Sequence, residues 1–301
     1  MVSCGAVESM GILDKFKEMF RSNKLDVSAR FELDRHATSG TMSNFHLARE
    51  IGTGKVFGLK FLDVEKLQAF EARFKGLKKP SEGEISLQFS HPRIVRTYEF
   101  GETVSGKPYI LMEFVEGQGL NVLIQDKSPL LEGHRVALMR DMAEAIAAVH
   151  AAGYIHRDIC PRNFIINPQG THATLIDFGL TVPDKAEFRQ PGNRTGTPLY
   201  MAPEIVRRRP TDKRVDLFAL GVTYYRLLSG EHPWSAGGDT SGMAALQHDT
   251  HPPTELLKVR PDVDPRIAKV VMQCLESDRE KRPESADVVV RSLKGIEKAY
   301  V

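Results

Sequence analysis

The 301-residue chain contains little cysteine, little net charge and no long apolar run. Its three cysteines, Cys4, Cys160 and Cys274, lie far apart and match no disulfide or metal-ligand spacing, so a reducing compartment is expected. No stretch approaches the roughly 20 apolar residues that span a bilayer, and no secretory signal opens the chain. We therefore expect a cytoplasmic protein without a transmembrane segment.

The charges are nearly balanced, with 41 Lys and Arg against 39 Asp and Glu and a net charge of +2. Acidic and basic residues are interspersed along the chain. This balance does not favour a dedicated nucleic-acid or polyanion binder, so no nucleic-acid partner is expected.

Residues 1–30 form a candidate N-terminal extension. Between residues 10 and 20 the apolar side chains recur on one helical face, which predicts a short amphipathic helix. Two interpretations remain open. The helix either docks on the main domain or makes a weak contact with a membrane surface or another protein.

The remaining residues, 31–298, change from a strand-rich to a helix-rich texture. Strands are predicted at residues 45–49, 56–62 and 109–114, and the first two flank a Gly52-Thr53-Gly54 turn. Helices are predicted at residues 64–75, 135–152, 214–229, 264–276 and 285–296, with a short or irregular piece at residues 81–89. Two lobes follow, an N-lobe at residues 31–113 and a C-lobe at residues 118–298, joined by a hinge at residues 113–117.

The most informative motif begins with His156-Arg157-Asp158. Asn163 follows five residues after the aspartate, and Asp177-Phe178-Gly179 comes directly after a strand-like segment. One carboxylate to orient a hydroxyl and two oxygen ligands for Mg²⁺ are what phosphoryl transfer from a metal-bound nucleotide requires.

This motif resembles the catalytic and metal-binding loops of the eukaryotic-type serine/threonine protein kinase family, and the resemblance covers about residues 31–298. It implies an α+β, bilobal kinase-like fold with a small antiparallel-sheet N-lobe, one main N-lobe helix and a larger, mainly helical C-lobe. It also implies ATP and Mg²⁺ as cofactors, protein substrates, phosphoryl transfer to Ser/Thr hydroxyls, and autophosphorylation. In this resemblance Asp158 is the catalytic acid/base, and Asn163 and Asp177 are the metal ligands.

The same resemblance assigns a phosphate-binding lysine and its acidic partner. Lys60 ends a Phe57-Gly58-Leu59-Lys60 segment similar to the third-strand lysine motif of the family. The family's partner glutamate usually lies nine residues before the histidine of a His-Pro-x-Ile-Val segment. That count from His91 indicates Glu82, with Glu84 as the alternative.

Two further segments of the family's nucleotide site can be matched. Residues 111–115 resemble the hinge, where the backbone of Glu113 and Val115 is expected to bind adenine. The family's glycine-rich loop falls at residues 38–43, where only one glycine remains. The candidate phosphate-binding residues there are Gly40, Ser39, Thr41 and Ser43, and we expect this loop to hold ATP less tightly, which a nucleotide titration would measure.

The segment from Thr197 to Glu204, called here the platform segment, resembles the part of the family that supports a peptide substrate. Glu204 is expected to pair with Arg282, and Asp216 to hold the catalytic loop. Thr197 is expected to lie near the catalytic carboxylate.

At Cys160 the sequence departs from the family, whose serine/threonine-directed members usually have lysine there. Arg162 stands where tyrosine-directed members often have arginine, and it either supplies the missing cation or packs on the surface. Cys160 is either an inert small residue or an oxidisable thiol. In the family, an arginine directly before the catalytic aspartate, here Arg157, is the arrangement in which a phosphate on the activation segment binds basic side chains. Thr195 is the candidate phosphorylation site.

Two rivals to an active protein kinase remain. A catalytically weak pseudokinase that serves as a nucleotide-binding scaffold would explain the eroded glycine loop and Cys160. A small-molecule phosphotransferase would share the fold, but such enzymes usually lack the Ala-Pro-Glu end of the platform segment.

Overall fold

The structure is a computed structural model that describes residues 24–34, 38–39, 43–190, 196–234 and 244–300. The chain divides into two compact units. The first contains the residues up to Gln68 together with Thr97–Phe114, and the second contains Ala69–Arg96 together with the residues from Val115 onward. The helix predicted at residues 10–20 lies outside the described residues, and the predicted domain limits stay predictions.

The first unit is built on an antiparallel sheet with the strand order β1-β3-β4-β6-β5, and β2 also pairs with β3. Its strands are β1 (Phe31–Leu33), β2 (Thr38–Ser39), β3 (Ser43–Glu50), β4 (Val56–Leu62), β5 (Thr97–Glu102) and β6 (Pro108–Glu113). The predicted β3–β4 hairpin is confirmed. Gly52 and Gly54 adopt φ values of 93° and 69° in its turn, a conformation that glycine reaches without a Cβ clash.

One face of this sheet forms an apolar core. The buried members of that core are Leu25, Phe31, Ala48, Leu59, Tyr109 and Leu111. Leu59 is fully buried at the centre of β4, where it lies between His46 of β3 and Leu111 of β6. Because both neighbours of β4 pair along most of its length, the position of the next residue, Lys60, is fixed by two ladders of backbone hydrogen bonds.

Helices dominate the second unit, as predicted. In chain order the α-helices of the described residues are α1 (Val27–Arg30), α2 (Val64–Glu71), α3 (Glu82–Ser86), α4 (Leu120–Gln125), α5 (Arg135–Ala151), α6 (Pro203–Val206), α7 (Arg214–Ser229), α8 (Gln247–Thr250), α9 (Leu256–Val259), α10 (Pro265–Cys274) and α11 (Ala286–Ser292). The predicted long helices correspond to α5, α7, α10 and α11. The last of these is shorter than the predicted residues 285–296.

Helix α7 is the buried centre of the second unit. All its residues from Val215 to Tyr225 are buried, so every face of this helix lies in the core. Gly230 ends the helix in the left-handed conformation, and its backbone N–H donates to the carbonyl oxygen of Arg226 in the last turn. The carboxylate of Asp216, in the first turn of α7, is thereby carried into the interior.

The second unit also contains short paired strands that carry the loops of the site. They are β7 (Gln118–Gly119), β8 (Tyr154–Ile155), β9 (Phe164–Ile166), β10 (Ala173–Leu175) and β11 (Val182–Pro183). The order β10-β9-β7 makes one small sheet, and β11 pairs with β8 in another. Among the described residues, no helix has both the length and the apolar content needed to cross a membrane.

Candidate active site

A buried carboxylate anchors the loop between β8 and β9. Asp216 accepts hydrogen bonds from the backbone N–H groups of His156 and Arg157, each at 2.8 Å. Arg157 has a φ of 67°, which costs a side-chain-bearing residue roughly 1–3 kcal/mol. The two hydrogen bonds offset this strain and confirm the prediction that Asp216 holds the catalytic loop.

Asp216 stays ionised although it is fully buried. Burial raises its pKa, but the hydrogen bond from His150 Nε2 at 2.9 Å and the hydrogen bond from the backbone N–H of His156 outweigh burial and lower the pKa below its ordinary value. An ionised acceptor makes stronger hydrogen bonds than a neutral one. The strained backbone before Asp158 is therefore firmly held.

Both oxygens of the Asp158 carboxylate are engaged. Oδ1 accepts hydrogen bonds from the backbone N–H of Thr197 at 2.9 Å and from its hydroxyl at 2.8 Å. Oδ2 accepts from Arg162 Nη2 and from Asn163 Nδ2, both at 3.1 Å. The prediction that Thr197 lies near the catalytic carboxylate is confirmed, and Arg162 places a cation at the same group.

The close approach of the platform segment to the catalytic loop depends on Gly196. Its φ is 120°, and a Cβ at this position would lie 2.7 Å from the carbonyl oxygen of Arg157. Only glycine fits there without moving one of the two backbones. The glycine thus allows Thr197 to reach Asp158.

Arg162 lies within electrostatic reach of two carboxylates. Burial opposes its charge, yet the negative charges of Asp158 and Asp177 more than compensate and raise the pKa of the guanidinium. Its side chain remains 42% exposed. The position is therefore open to a substrate while the cation stays fixed beside Asp158.

Asn163 and Asp177 are brought together by an antiparallel strand pair. Asn163 directly precedes β9 and Asp177 follows β10 by two residues, and Phe164 of β9 lies opposite Leu175 of β10. The start of one strand therefore meets the end of the other. The backbone N–H of Ile176 donates to the carbonyl oxygen of Asn163 at 3.0 Å, which joins the two loops directly.

A second carboxylate holds β10 in place. Asp141 of α5 accepts from the backbone N–H of Ala173 at 3.0 Å and pairs with Arg93 at 2.9 Å. The backbone of Arg93 also accepts from the N–H of Leu175 at 2.9 Å. The strand that delivers Asp177 is thus fixed from two sides.

The donor atoms fit a divalent metal ion. Asn163 Nδ2 donates to the backbone oxygen of Asp158 at 2.7 Å as well as to Oδ2, so its Oδ1 is the atom available as a ligand. Asp177 adds carboxylate oxygens, of which Oδ1 accepts from the backbone N–H of Gly179 at 2.8 Å. Such hard oxygens suit Mg²⁺. Among the described residues, no group of three or more His, Cys, Asp or Glu side chains could hold a metal ion, so phosphate and water oxygens would complete the coordination.

The two candidate acidic partners, Glu82 and Glu84, have different surroundings. Glu84 closes a capping box at the start of α3, where its Oε2 accepts from the backbone N–H of Ser81 at 2.8 Å. Glu82 is 6% exposed, and a Cβ on Gly179 would lie 3.4 Å from its Oε2. Glu82 therefore lies beside the loop that carries Asp177, whereas the carboxylate of Glu84 is engaged at the helix end.

Some of the other residues predicted to bind the nucleotide are described by the structure, and others are not. In the first unit Lys60 is 5% exposed, opposite Phe45 and Ile110 in the sheet, and Glu113 ends β6. Ser43 is buried at the start of β3, opposite Leu62, and only the backbone of Ser39 is described. Val115 belongs to the second unit. Gly40 and Thr41 lie outside the described residues, and the roles of all these residues stay predictions.

The structural pair at the end of the platform segment is confirmed. Arg282 Nη1 and Nη2 donate to the two carboxylate oxygens of Glu204 at 2.7 and 2.8 Å. The Arg282 side chain is fully buried and that of Glu204 is 7% exposed. The pair fixes α6, which begins within the platform segment at Pro203.

Cys160 is an inert buried residue rather than an oxidisable thiol. Burial, with the charge of Asp158 second, raises the pKa of the Cys160 thiol to about 12. Its Sγ lies 3.7 Å from the Thr197 hydroxyl. The thiol therefore stays protonated at neutral pH and contributes no cation to the site.

Sequence reasoning missed three histidines that support these loops. His150 was not linked to Asp216, and His232 and His248 were not linked to the platform segment, which they contact through the backbone oxygens of Leu199 and Met201. Such contacts carry no local spacing signal. The capping box, in contrast, was readable as Ser81-x-x-Glu84 and could have separated the two glutamates.

Comparisons with known proteins agree with this geometry. The protein kinase domain family matches residues 31–293. The chain is 33% identical over 285 residues to serine/threonine-protein kinase pkn2 of Myxococcus xanthus, which covers 91% of this chain and 33% of that protein. It is 31% identical over 268 residues to serine/threonine-protein kinase PknB of Mycolicibacterium smegmatis, which covers 86% of this chain and 42% of that protein.

The chain therefore belongs to the protein kinase domain family, and the predicted fold class is confirmed. It spans between a third and about a half of the length of the curated relatives that it matches.

Proposed function

We propose that this chain transfers the γ-phosphoryl group of ATP, with Mg²⁺, to serine and threonine hydroxyls of protein substrates and to its own hydroxyls. The observation that carries the proposal is the Asp158 carboxylate, held by Thr197, Arg162 and Asn163 at 2.8 to 3.1 Å. The family and the names of its similar members, which are serine/threonine-protein kinases, support it.

The four site residues of the second unit each have a proposed role. Bound ATP would supply the phosphoryl group, and a divalent cation would neutralise the charge that develops on its oxygens. Asp158 orients the substrate hydroxyl and accepts its proton. Asn163 and Asp177 hold the cation, and Arg162 stabilises negative charge next to Asp158.

The nucleotide-binding roles rest on sequence position together with burial. Lys60 is proposed to bind the α- and β-phosphates, and Glu82 to orient that lysine. The backbone groups of Glu113 and Val115 are proposed to bind adenine. The weaker glycine loop, a cytoplasmic location and a contact made by residues 1–30 stay predictions.

A phosphate on Thr195 remains the proposed regulatory modification, although Thr195 lies outside the described residues. Burial, opposed by the negative charge of Asp216 and assisted by the positive charge of Arg73, lowers the pKa of Arg157 to about 10. Two cations within reach of each other form an environment that a phosphate group would stabilise.

Substituting Asp158 by asparagine tests the proposal. We expect transfer of labelled phosphate from ATP to a generic basic protein to fall by roughly 10²–10⁴-fold, because the positioned base is lost while the shape is kept. The label on the enzyme itself should fall in parallel, and mass spectrometry should locate it at Thr195 in the wild type.

The matched control is Asp287→Asn, which changes an exposed carboxylate in α11. Equal transfer by wild type and Asp158→Asn would reject the assignment. A wild type that binds ATP without transferring phosphate would indicate the scaffold, which no contact in the described residues specifically favours. Turnover of ATP with label only on small molecules would indicate the other rival.

A further inference from the structure

Two histidines, His232 half-buried and His248 buried, hold the backbone of the platform segment. His232 Nε2 lies 2.7 Å from the carbonyl oxygen of Leu199, and His248 Nδ1 lies 2.8 Å from the carbonyl oxygen of Met201. His248 is 1% exposed. Both carbonyl groups therefore find their partners in side chains outside the segment.

The contacts define which ring nitrogen carries the proton. A carbonyl oxygen can only accept, so Nε2 of His232 and Nδ1 of His248 are the donors. Nδ1 of His232 lies 3.3 Å from the carbonyl oxygen of Trp234 and 3.5 Å from the backbone N–H of the same residue. The carbonyl contact of Nε2 is shorter, at 2.7 Å, so the proton of the neutral ring is assigned to Nε2 and Nδ1 accepts from the Trp234 N–H. Nε2 of His248 is buried and has no hydrogen-bond partner in the described part of the chain, which suits an unprotonated nitrogen.

Burial keeps these rings neutral. It lowers the pKa of His248 to about 4 and also lowers the pKa of His232, although each hydrogen bond to a carbonyl acts in the opposite direction. Neutral rings with fixed tautomers make the two donors permanent features of the protein at neutral pH.

Aromatic packing prevents the rings from turning away. The His248 ring lies 4.3 Å from the Trp234 ring and 5.8 Å from the His232 ring, measured between centroids. Trp234 is itself fixed by the hydrogen bond from its Nε1 to the carbonyl oxygen of His251 at 2.9 Å. The donors are thus preorganised before any substrate binds.

The two contacts lie within one turn of the residue that contacts Asp158. Tyr200 N donates to the carbonyl oxygen of Thr197 at 2.9 Å, and Met201 N donates to that of Pro198 at 3.1 Å. This single 3₁₀ turn transmits a shift at Leu199 or Met201 to Thr197. The two histidines therefore contact the same short turn that begins at Thr197, the residue that hydrogen-bonds Asp158.

We propose that His232 and His248 are positioning residues for the protein substrate, and that their N–H groups hold the platform segment in register with Asp158 so that an extended Ser/Thr-containing peptide can bind there. This inference rests on the proposed function. It assigns the two side chains no contact with the reacting atoms.

Paired substitutions separate hydrogen bonding from packing. His248→Phe keeps an aromatic ring against Trp234 and removes the donor, whereas His248→Asn keeps an N–H near the Nδ1 position and removes the ring. His232→Phe and His232→Gln form the equivalent pair for Nε2. His251→Phe is the control, because the His251 side chain is exposed and hydrogen-bonds only Thr250 among the described residues.

We expect the phenylalanine variants to raise KM for a generic basic protein roughly tenfold and to leave KM for ATP within about twofold, because a buried carbonyl loses its partner. The asparagine and glutamine variants should stay within about threefold of wild type. Amide hydrogen exchange at Tyr200 and Met201, followed by mass spectrometry, should rise about tenfold in the phenylalanine variants only.

The reverse pattern, with phenylalanine tolerated and the amides impaired, would show a packing role and overturn the proposal. Equal effects of both members of a pair on KM and on exchange would overturn it as well. A wild type without phosphoryl transfer would reject the proposed function instead. The exchange measurement would then still decide whether the histidines hold the platform segment.

Discussion

Replacing Arg162 by alanine is expected to lower kcat roughly 10²–10³-fold, with little change in KM for ATP. The guanidinium lies 3.1 Å from Asp158 and within reach of the Asp177 charge, so it is the cation nearest to the proposed base among the residues of the catalytic loop. A preorganised charge of this kind acts on the transition state more than on the bound ground state. Steady-state assays of the purified variant measure the effect.

The controls for this prediction use the departure at Cys160. Arg162→Lys keeps a positive charge without the planar fork and should lose less activity than the alanine variant. The double variant Arg162→Ala with Cys160→Lys returns a cation to the position where the family usually has lysine, and it should recover part of the loss. Arg291→Ala, on an exposed part of α11, should resemble wild type.

An Arg162→Ala protein that keeps kcat within about threefold of wild type contradicts the assignment. The interpretation that Arg162 only packs on the surface would then be correct. Thermal unfolding of each variant accompanies the kinetics, so that a loss of activity caused by misfolding is recognised.

Breaking the Glu204–Arg282 pair is expected to destabilise the protein by about 3–5 kcal/mol, because one partner is left as a buried, uncompensated charge. Arg282 is the side chain to change, to methionine. Besides Glu204, its guanidinium donates to the backbone oxygens of Glu276, Arg214 and Ser277 at 2.8 to 3.2 Å. Methionine fills the volume and satisfies none of these acceptors.

Urea unfolding followed by the fluorescence of Trp234, the single tryptophan, provides the measurement. Arg207→Ala is the matched control, since Arg207 pairs with Asp249 at 2.7 Å but is 37% exposed. Such a pair contributes about 0–1 kcal/mol. A loss below about 1 kcal/mol in Arg282→Met would show that the buried pair contributes no more than an exposed one.

Much of the second unit could be predicted because its function depends on short, ordered motifs. The spacing from Asp158 to Asn163 and the strand before Asp177 identified the two loops, and the β9–β10 pairing brings them together. The partners Glu204 and Arg282 are far apart in sequence and were found through the family pattern. Periodicity alone would not have paired them.

The details that escaped prediction arise from tertiary packing. Pro80 and Gly83 correctly indicated a short helix, but the capping of α3 by the carboxylate of Glu84 was not predicted. The histidines beneath the platform segment are joined to it across 33 and 47 residues, and no helical or strand period connects positions so far apart. The shorter α11 shows that an apolar pattern can continue beyond the last helical hydrogen bond.

Two buried thiols can report local opening of the protein structure. Cys160 and Cys274 are 1% and 0% exposed, and burial raises the pKa of each to about 12. The deprotonated, accessible sulfur is the nucleophile that attacks an alkylating reagent, so neither cysteine reacts until the surrounding structure opens. One lies in the catalytic loop and the other at the end of α10, close enough to Arg282 to feel its charge. Pulsed alkylation of these natural cysteines would therefore time the opening of the two regions separately.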